Sequence, residues 1–459
     1  MHLSIVQTLP SEVIHEIYGY FATPMYLWLY KPNNFPEFPW YLGQICASWR
    51  AIFNSMSSNF WNKLDIHLER QPCTAVVGQY FEIPKLSLRY DLMLLMLRHF
   101  LDRTRGQPFS FRIKAAHILD REEPIIVRLL ELLVAESPRW REAYFNALKA
   151  SYIPILYQVK HHLPLLKTLE LDLHTCEGVP AYTYDLFEDA PHLKCVDLGH
   201  LADWQVNWAA LTILKIGDFF TSDNLLSILG QAERLENLAI YQSLDETSAL
   251  DQMISLPNLK VLTTIGFRLL SVLHTPSLEE LYIEDFDELS MSYTIVISFL
   301  NRSSCRLSRL GMGGCSAASL MDILQHTPDL VHLNLDNGDD MVMSFGHLTF
   351  HRQRDTSPLA HHLRSLTIMD ASLSDMEIME LAALVTSRTK GAKASSGATT
   401  VEKLQTLSIL TSEAPVRYNQ RAAVESLRKQ CAEQGVEFTV QPKLDISWPH
   451  HDNTSIRDW

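Results

Sequence analysis

The sequence contains few cysteines, and their arrangement excludes two kinds of small-domain framework. Seven of the 459 residues are cysteine, and no two of them have C-x-x-C spacing. The number is odd and the positions are scattered, which argues against a disulfide framework and against a zinc site built from paired cysteines. This usage fits a reducing compartment.

Long apolar runs and an excess of positive charge are also missing. The longest apolar runs, such as LMLLML at 92–97, fall far short of the roughly 20 residues that cross a bilayer. The first residues lack the basic stretch that opens a signal peptide. The formal net charge of −14 makes nucleic acid a poor partner, because phosphate contacts need clustered lysine and arginine. We expect a cytoplasmic or nuclear protein with no membrane or nucleic-acid partner.

No motif for catalysis or cofactor binding stands out. The glycines of GMGGCS at 311–316 lack the G-K-S/T ending of a phosphate loop. The acidic DNGDD at 336–340 does not have EF-hand spacing. The three adjacent histidine pairs do not place two ligands on one helix face. We therefore predict a chain that is not an enzyme and has no metal or cofactor.

One short phrase, by contrast, recurs through most of the chain. It consists of a proline or polar residue, then x, apolar, x-x, apolar, x, apolar, and most copies begin about 20 to 30 residues apart, the spacing of leucine-rich repeats. Ten clear copies are PLLKTLEL (164–171), PHLKCVDL (191–198), AALTILKI (209–216), ERLENLAI (233–240), PNLKVLTT (257–264), PSLEELYI (276–283), CRLSRLGM (305–312), PDLVHLNL (328–335), HHLRSLTI (361–368) and EKLQTLSI (402–409), with a weaker one, PRWREAYF, at 138–145.

The alternating end of this phrase is typical of a strand with one buried face. Four of the segments between copies have helical periodicity, at 224–231, 294–302, 319–326 and 376–388. One strand and one helix cannot bury themselves, so neighbouring copies should stack into a solenoid with a parallel concave sheet and a helical convex side. We predict an α/β fold for this array, over residues 138–441.

The end of the array has its own pattern. Residues 421–440 predict an amphipathic helix, a glycine at its end (Gly435) and a last strand. The small, polar and basic segment at 387–403 predicts a mobile loop inside the array. A tail at 442–459 follows, for which the sequence gives no structural prediction.

The N-terminal region contains two apolar stripes at helical spacing. In PWYLGQICASWRAIFNSMSSNFW at 39–61 the stripe comprises Leu42, Ile45, Cys46, Trp49, Ile52, Phe53 and Met56. In LPSEVIHEIYGYF at 9–21 it comprises Val13, Ile14, Ile17, Tyr18 and Phe21. So small a unit buries too little surface to be stable alone, so its stripes need cover from the repeats or from another protein.

These two stretches resemble an F-box of the version common in a large fungal group of F-box proteins. The phrase I-C-x-x-W-R with a tryptophan eleven residues after the arginine is the specific part, and LRHFLDRTRGQPFSFRI at 97–113 is similar to the same group. The resemblance implies an all-helical F-box at 5–65 that docks on a Skp-type adaptor, followed by a linker with the first irregular repeats at 66–137. The apolar positions implied to bind the adaptor are Leu9, Pro10, Val13, Ile14, Ile17, Ile45, Cys46 and Trp49. The alternative is that both helices merely cap the array.

The face of the sheet opposite the helices is the expected recognition surface. Side chains on it should include Glu170, Asp172, Asp197, Tyr241, Tyr282, Glu284 and Asp336. This acidic mixture favours a basic or mixed protein segment, although an ordinary solvated sheet face fits equally well. By the resemblance, the chain is a non-catalytic adaptor of an SCF-type ubiquitin ligase, with a Skp-type adaptor, the cullin core and an unidentified protein substrate as partners. The alternatives are a ligase-independent repeat scaffold and, with weaker support, a repeat array with a small-molecule pocket.

Overall fold

The structure is a computed structural model that describes most of the chain in separate stretches. The described residues are 9–20, 24–29, 45–68, 86–115, 123–174, 183–199, 203–217, 222–242, 252–284, 292–313, 316–336, 345–349, 360–369, 375–389, 401–411 and 421–442. The tail after residue 442 and most of the 387–403 segment lie outside the described residues, and so do the histidine pair at 450–451 and most of DNGDD.

Nineteen strands occur in the described ranges, and fifteen of them form one open parallel sheet. In chain order they are β1 (Met25–Trp28), β2 (Lys63–His67), β3 (Phe109–Lys114), β4 (Trp140–Lys149), β5 (Thr168–His174), β6 (Thr183–Tyr184), β7 (Cys195–Leu198), β8 (Asp203–Trp204), β9 (Ile213–Ile216), β10 (Asn237–Ile240), β11 (Ile254–Ser255), β12 (Val261–Ile265), β13 (Leu273–His274), β14 (Glu280–Glu284), β15 (Arg309–Gly313), β16 (His332–Asp336), β17 (Ser365–Met369), β18 (Thr406–Thr411) and β19 (Glu437–Pro442). The large sheet follows the chain order, while β6 pairs with β8 and β11 pairs with β13 in two small parallel sheets.

Helices alternate with these strands. They are α1 (Ser11–Tyr20), α2 (Ala47–Ser55), α3 (Leu86–Arg103), α4 (Glu123–Ala135), α5 (Ile153–Leu156), α6 (Ser222–Gln231), α7 (Arg268–Val272), α8 (Ser292–Ser303), α9 (Ala317–Gln325), α10 (Asp375–Thr389) and α11 (Arg421–Gln434). The four helical segments predicted between repeat phrases correspond to α6, α8, α9 and α10. None of the described helices is long and apolar enough to span a membrane.

The prediction of one strand for each repeat phrase is confirmed. In all ten clear copies the strand begins at the fifth residue of the phrase, as β16 begins at His332 in the copy that starts at residue 328. The first leucine of that copy, Leu330, is fully buried, and Leu333 and Leu335 are buried on either side of the half-buried Asn334. The period of two thus separates a leucine face from a polar face.

The backbone joins neighbouring copies in a repeated way. The amides of Arg364 and Ser365 both donate to the carbonyl of Val331, at 2.9 and 3.1 Å, and the amides of Gln405 and Thr406 both donate to the carbonyl of Arg364, at 2.7 and 3.1 Å. In the ten clear copies the strand therefore enters the sheet at the same position of the phrase.

The final part of the array is as the sequence predicts. Helix α11 ends at Gln434, Gly435 has a positive φ of 64°, and β19 pairs in parallel with β18. A residue without a Cβ suits this left-handed turn at the end of a helix.

Two compact units divide the chain. Unit 1 contains the described residues up to 211 together with 215–217, and unit 2 contains residues 212–214 and the described residues from 222 onward. This division does not separate an F-box at residue 65 from the repeats.

The N-terminal region differs from the all-helical unit that the resemblance implied. Strand β1 lies between α1 and α2 and pairs in parallel with β2, which itself crosses the expected boundary at residue 65. The sequence MYLW is rich in β-forming residues and alternates, with Met25 and Leu27 buried and the two aromatic side chains half-buried.

Helix α2 is also shorter than the apolar stripe predicted. It begins at Ala47, so Ile45 precedes the helix and Cys46 is its N-cap residue, while Leu42 lies outside the described residues. The side chains that the helix buries are Trp49, Ile52 and Phe53.

Candidate interaction surfaces

Helix α1 has two apolar sides with different surroundings. Ile14 and Tyr18 are buried, at 1% and 0% exposure. On the adjacent side of the helix Val13 is 41% exposed, and Leu9 and Ile17 are half-buried. Leu9 lies two residues before the helix, and the other two are four residues apart on one face of it. We call Leu9, Val13 and Ile17 the outer stripe of α1.

The buried side of α1 packs on α2 through Tyr18. Its ring centroid lies 5.8 Å from that of Trp49, 5.5 Å from Phe53 and 6.0 Å from Phe60. The Tyr18 hydroxyl donates to the carbonyl of Trp49 at 3.2 Å. Burial, followed by the nearby Cys46, raises the pKa of Tyr18 well above its ordinary value. The hydroxyl therefore remains protonated and ties the two helices together.

The same aromatic group reaches α3 through Trp61. The Trp61 ring is 4.9 Å from Phe53 and 6.1 Å from His99, and the Arg103 guanidinium lies 5.8 Å from its centroid. Arg103 also donates to the side chain of Asn54 at 2.8 Å. The chain's own aromatic core therefore covers one side of the N-terminal helices.

The eight residues expected to bind an adaptor differ in how exposed they are in the structure. Those that are buried in unit 1, and so belong to its core, are Ile14 and Trp49. Those that are exposed are Pro10, Val13 and Ile45, and those that are half-buried are Leu9, Ile17 and Cys46. Periodicity identified the helices but could not tell which of the two apolar sides of α1 faces inward.

The polar face of unit 1 contains a row of side chains that lie opposite one another in the register. From β1 to β7 the row comprises Tyr26, Asp65, Arg112, Tyr144, Glu170 and Asp197. Sequence reasoning selected only the last two. Asp65 could have been assigned to this face from the alternation in KLDIHL at 63–68, in which polar residues alternate with the buried Leu64, Ile66 and Leu68.

Asp65 lies at the centre of a compact group near the first strands. Its carboxylate is 3.1 Å from Nε2 of His67 and 3.9 Å from the guanidinium of Arg112. The His67 ring stacks on Trp28, with centroids 3.8 Å apart. Arg112 also lies over the Tyr144 ring, at 5.2 Å. Asp65 and His67 are buried, at 4% and 6% exposure, so this part of the polar face is not an open surface.

Three of the acidic residues expected to bind a substrate do come together. Burial, and then the charges of Glu170 and Asp172, raise the pKa of Asp197 to about 6, while Lys215 opposes the shift. The Lys215 ammonium is 3.9 Å from the Asp197 carboxylate. The charges of Glu170 and Asp172 disfavour the ionised form of Asp197, because like charges repel one another. We call Glu170, Asp172 and Asp197 the acidic trio.

The polar face of unit 2 places its expected residues differently. Tyr282 is only 3% exposed, and its hydroxyl donates to the Glu280 carboxylate at 3.2 Å, so the expectation that it contacts a substrate is not supported by its position. Arg309 lies 3.7 Å from the same carboxylate. Half-buried Tyr241 follows β10, and Glu284 and Asp336 end strands β14 and β16, with β15 between those two strands.

No group of three or more histidine, cysteine, aspartate or glutamate side chains suited to a metal ion occurs in the part of the chain that the structure describes. The adjacent His361 and His362 have ring centroids 4.2 Å apart, and Nδ1 of His362 lies 3.1 Å from Glu402.

Cys195 and Cys431 are buried, and burial raises the pKa of both thiols, to about 12 and about 11. These thiols are poor nucleophiles at neutral pH.

No family model matches the chain, and no curated protein matches it.

Proposed function

We propose that this chain is a non-catalytic adaptor of an SCF-type ubiquitin ligase, with its N-terminal region bound to a Skp-type adaptor and its repeats bound to a protein substrate. The sequence support is the F-box-like pair of phrases ahead of a repeat array. The structural observation that carries the proposal is the outer stripe of α1, where Val13 remains 41% exposed although Ile14 and Tyr18 on the adjacent side of the helix are fully buried. Ile45, just before α2, is a second apolar side chain exposed to the same extent.

Docking of a partner on this surface would remove apolar side chains from water. At about 25 cal/mol per Å² of apolar surface, this burial is the main favourable term in association. The repeats would then hold the substrate near the conjugating enzyme, so that a lysine is presented at high effective concentration. The ubiquitin chemistry would belong to other subunits.

The acidic trio supports a basic segment as the part of the substrate that binds unit 1. Burial, and then the charges of Glu170 and Asp172, raise the pKa of Asp197, so a lysine or arginine from a partner would favour its ionised form. Complementary charge mainly fixes the choice of partner and the rate of association.

A second candidate is a repeat scaffold that acts without the ligase. It is favoured by the packing of α1 and α2 on the chain's own aromatic core and by the pairing of β1 with β2, because these contacts also explain the two helices as a cap on the array.

Co-purification of the full chain with a Skp-type adaptor separates the two candidates. Val13→Asp combined with Ile45→Asp places charges on the exposed apolar surface without touching the core, and we expect at least about tenfold weaker binding because a buried unpaired charge is costly. Met376→Asp is the matched control, since Met376 is an exposed apolar residue on α10 in unit 2, at 65%.

The circular dichroism spectrum of each variant should match that of the wild type, which keeps loss of folding separate from loss of binding. Unchanged adaptor binding by the double variant would refute the docking assignment, and failure of the wild-type chain to bind any Skp-type adaptor would favour the scaffold.

A further inference from the structure

Helix α3 has an exposed apolar surface away from the N-terminal helices. Its buried side consists of Met93, Leu97, Phe100 and Leu101. On the opposite side Leu92 and Leu95 are 50% and 63% exposed. Large aliphatic side chains at i and i+3 lie next to each other on one helix face. Packing into the core of unit 1 explains why the four buried residues are apolar, but it does not explain why the exposed Leu92 and Leu95 are apolar.

Two opposite charges border this surface. Asp91 and Arg98 are both exposed and lie seven residues apart. Two positions that far apart on a helix are only about 20° out of alignment, so both lie on the same side of the leucines. Their axial separation is about 10 Å, and Leu95 lies near the midpoint between them.

This arrangement is complementary to itself. Suppose that two copies of α3 pack antiparallel about a twofold axis beside Leu95. The edge of each helix that contains Asp91 and Arg98 then lies along the same edge of the interface, and the two helices run in opposite directions. Asp91 of each copy then lies opposite Arg98 of the other, which gives two equivalent ion pairs. The Leu95 side chains meet at the centre, and the ion pairs flank them.

We propose that the chain forms a twofold homodimer through α3, with the Leu92–Leu95 surface as its apolar centre and two Asp91–Arg98 ion pairs between copies. Closed twofold dimers use the same patch on both partners, which is the property that this helix has. An unrelated partner would not need one acid and one base at similar distances on either side of the central leucine. The proposal does not depend on the function proposed above.

Sedimentation of the full chain over a range of concentrations tests the dimer. The wild type should change from monomer to dimer as concentration rises, and Leu95→Glu should abolish the change because it places two like charges at the twofold axis. Met379→Glu is the control, since Met379 is 65% exposed on α10, and it should dimerise like the wild type. A wild type that remains monomeric at its highest soluble concentration, or a Leu95→Glu variant that still dimerises, would overturn the proposal.

Charge exchange tests the geometry itself. Asp91→Arg and Arg98→Asp should each weaken the dimer about tenfold, because each replaces two attractive pairs with two repulsive ones. An equal mixture of the two single variants restores both pairs between unlike copies, so it should form a heterodimer about as stable as the wild type. Single variants that dimerise normally, or a mixture that stays monomeric, would contradict the antiparallel arrangement.

Discussion

The N-terminal part of unit 1 and the repeats of unit 2 form the same sheet pattern with different core residues. Around α1, α2 and β2 the core consists of large rings, with Tyr18, Trp49, Phe53 and Trp61 all at 4% exposure or less. Across unit 2 one strand position is a leucine in seven consecutive strands of the sheet. These are Leu238, Leu262, Leu281, Leu310, Leu333, Leu366 and Leu407, each buried and each opposite the next in the register.

The N-terminal end of the sheet and its repeated part are thus stabilised by different kinds of contact. In unit 2 the five leucines from Leu262 to Leu366 in this row each meet an equivalent leucine on both neighbouring strands, so the core is a sum of similar local contacts. In the N-terminal region the rings meet edge to face, as Phe53 and Trp61 do at 65°, and they come from elements that are not copies of the repeat phrase. Removal of one ring should therefore affect several elements, whereas removal of one leucine should affect neighbouring strands alone.

The largest expected effect follows from Trp61→Ala. Trp61 is fully buried and contacts Phe53 of α2, His99 of α3 and the adjacent Phe60. Truncation of a buried tryptophan removes its apolar surface and leaves a cavity, so we expect unit 1 to lose about 4 kcal/mol of unfolding free energy. Hydrogen exchange should show faster exchange in α1, α2 and α3 together.

Trp61→Phe is the control, because it keeps a ring at this position and should cost less. Faster exchange confined to residues 58–61 in Trp61→Ala would show that the rings do not couple the three helices.

A smaller and more local effect is expected from Leu333→Ala. Leu333 is fully buried on β16, between Leu310 and Leu366. Loss of its side chain should cost about 3 kcal/mol. The increase in hydrogen exchange should be limited to β15, β16, β17 and the helix α9. An increase that extends to α1 or α2 would contradict the view that unit 2 is stabilised by nearest-neighbour contacts.

The same comparison explains how much of the fold could be predicted from the sequence. Where the leucine phrase repeats, the sequence predicts a strand at the alternating end of each copy, because the same buried positions are occupied by the same residue type in each copy. The closing helix, Gly435 and the last strand follow from equally local signals. The strand β1 could not be predicted, since four residues of mixed aromatic and aliphatic character do not distinguish a strand from a helix.

The candidate surfaces were less predictable than the strands. Alternation predicts that Glu170, Asp172 and Asp197 share one face, but only the register brings Asp197 opposite Glu170. The burial of Tyr282 depends on side-chain packing that periodicity does not encode. The sorting of Ile14 from Val13 on α1 likewise depends on which side other elements cover.

A last difference between the units concerns charge. In unit 1 burial and like charges raise the pKa of Asp197 from an ordinary value of 3.8 to about 6. In unit 2 hydrogen bonds from Arg364 and then His362 lower the pKa of Glu402 from 4.5 to about 2. The ionised form is therefore disfavoured at Asp197 and favoured at Glu402 in the folded protein.

The smallest expected effect is the opposite response of these two carboxyl groups to pH. Folded Asp197 binds its proton more tightly than the unfolded chain does, so its contribution is most favourable below pH 3.8 and is lost as pH rises toward about 6. Asp197→Asn should therefore stabilise unit 1 at pH 7, by on the order of 1 kcal/mol once solvent screening is allowed for. Glu402 contributes stability above pH 4.5 that is lost as pH falls toward about 2, so Glu402→Gln, the matched control, should destabilise at neutral pH and not in acid.

Urea unfolding of the wild type and both variants at pH 3 to 8 measures these differences. Equal stability of Asp197→Asn and the wild type at pH 7 would show that Lys215 already neutralises the acidic trio, and the argument for a basic partner on unit 1 would fail.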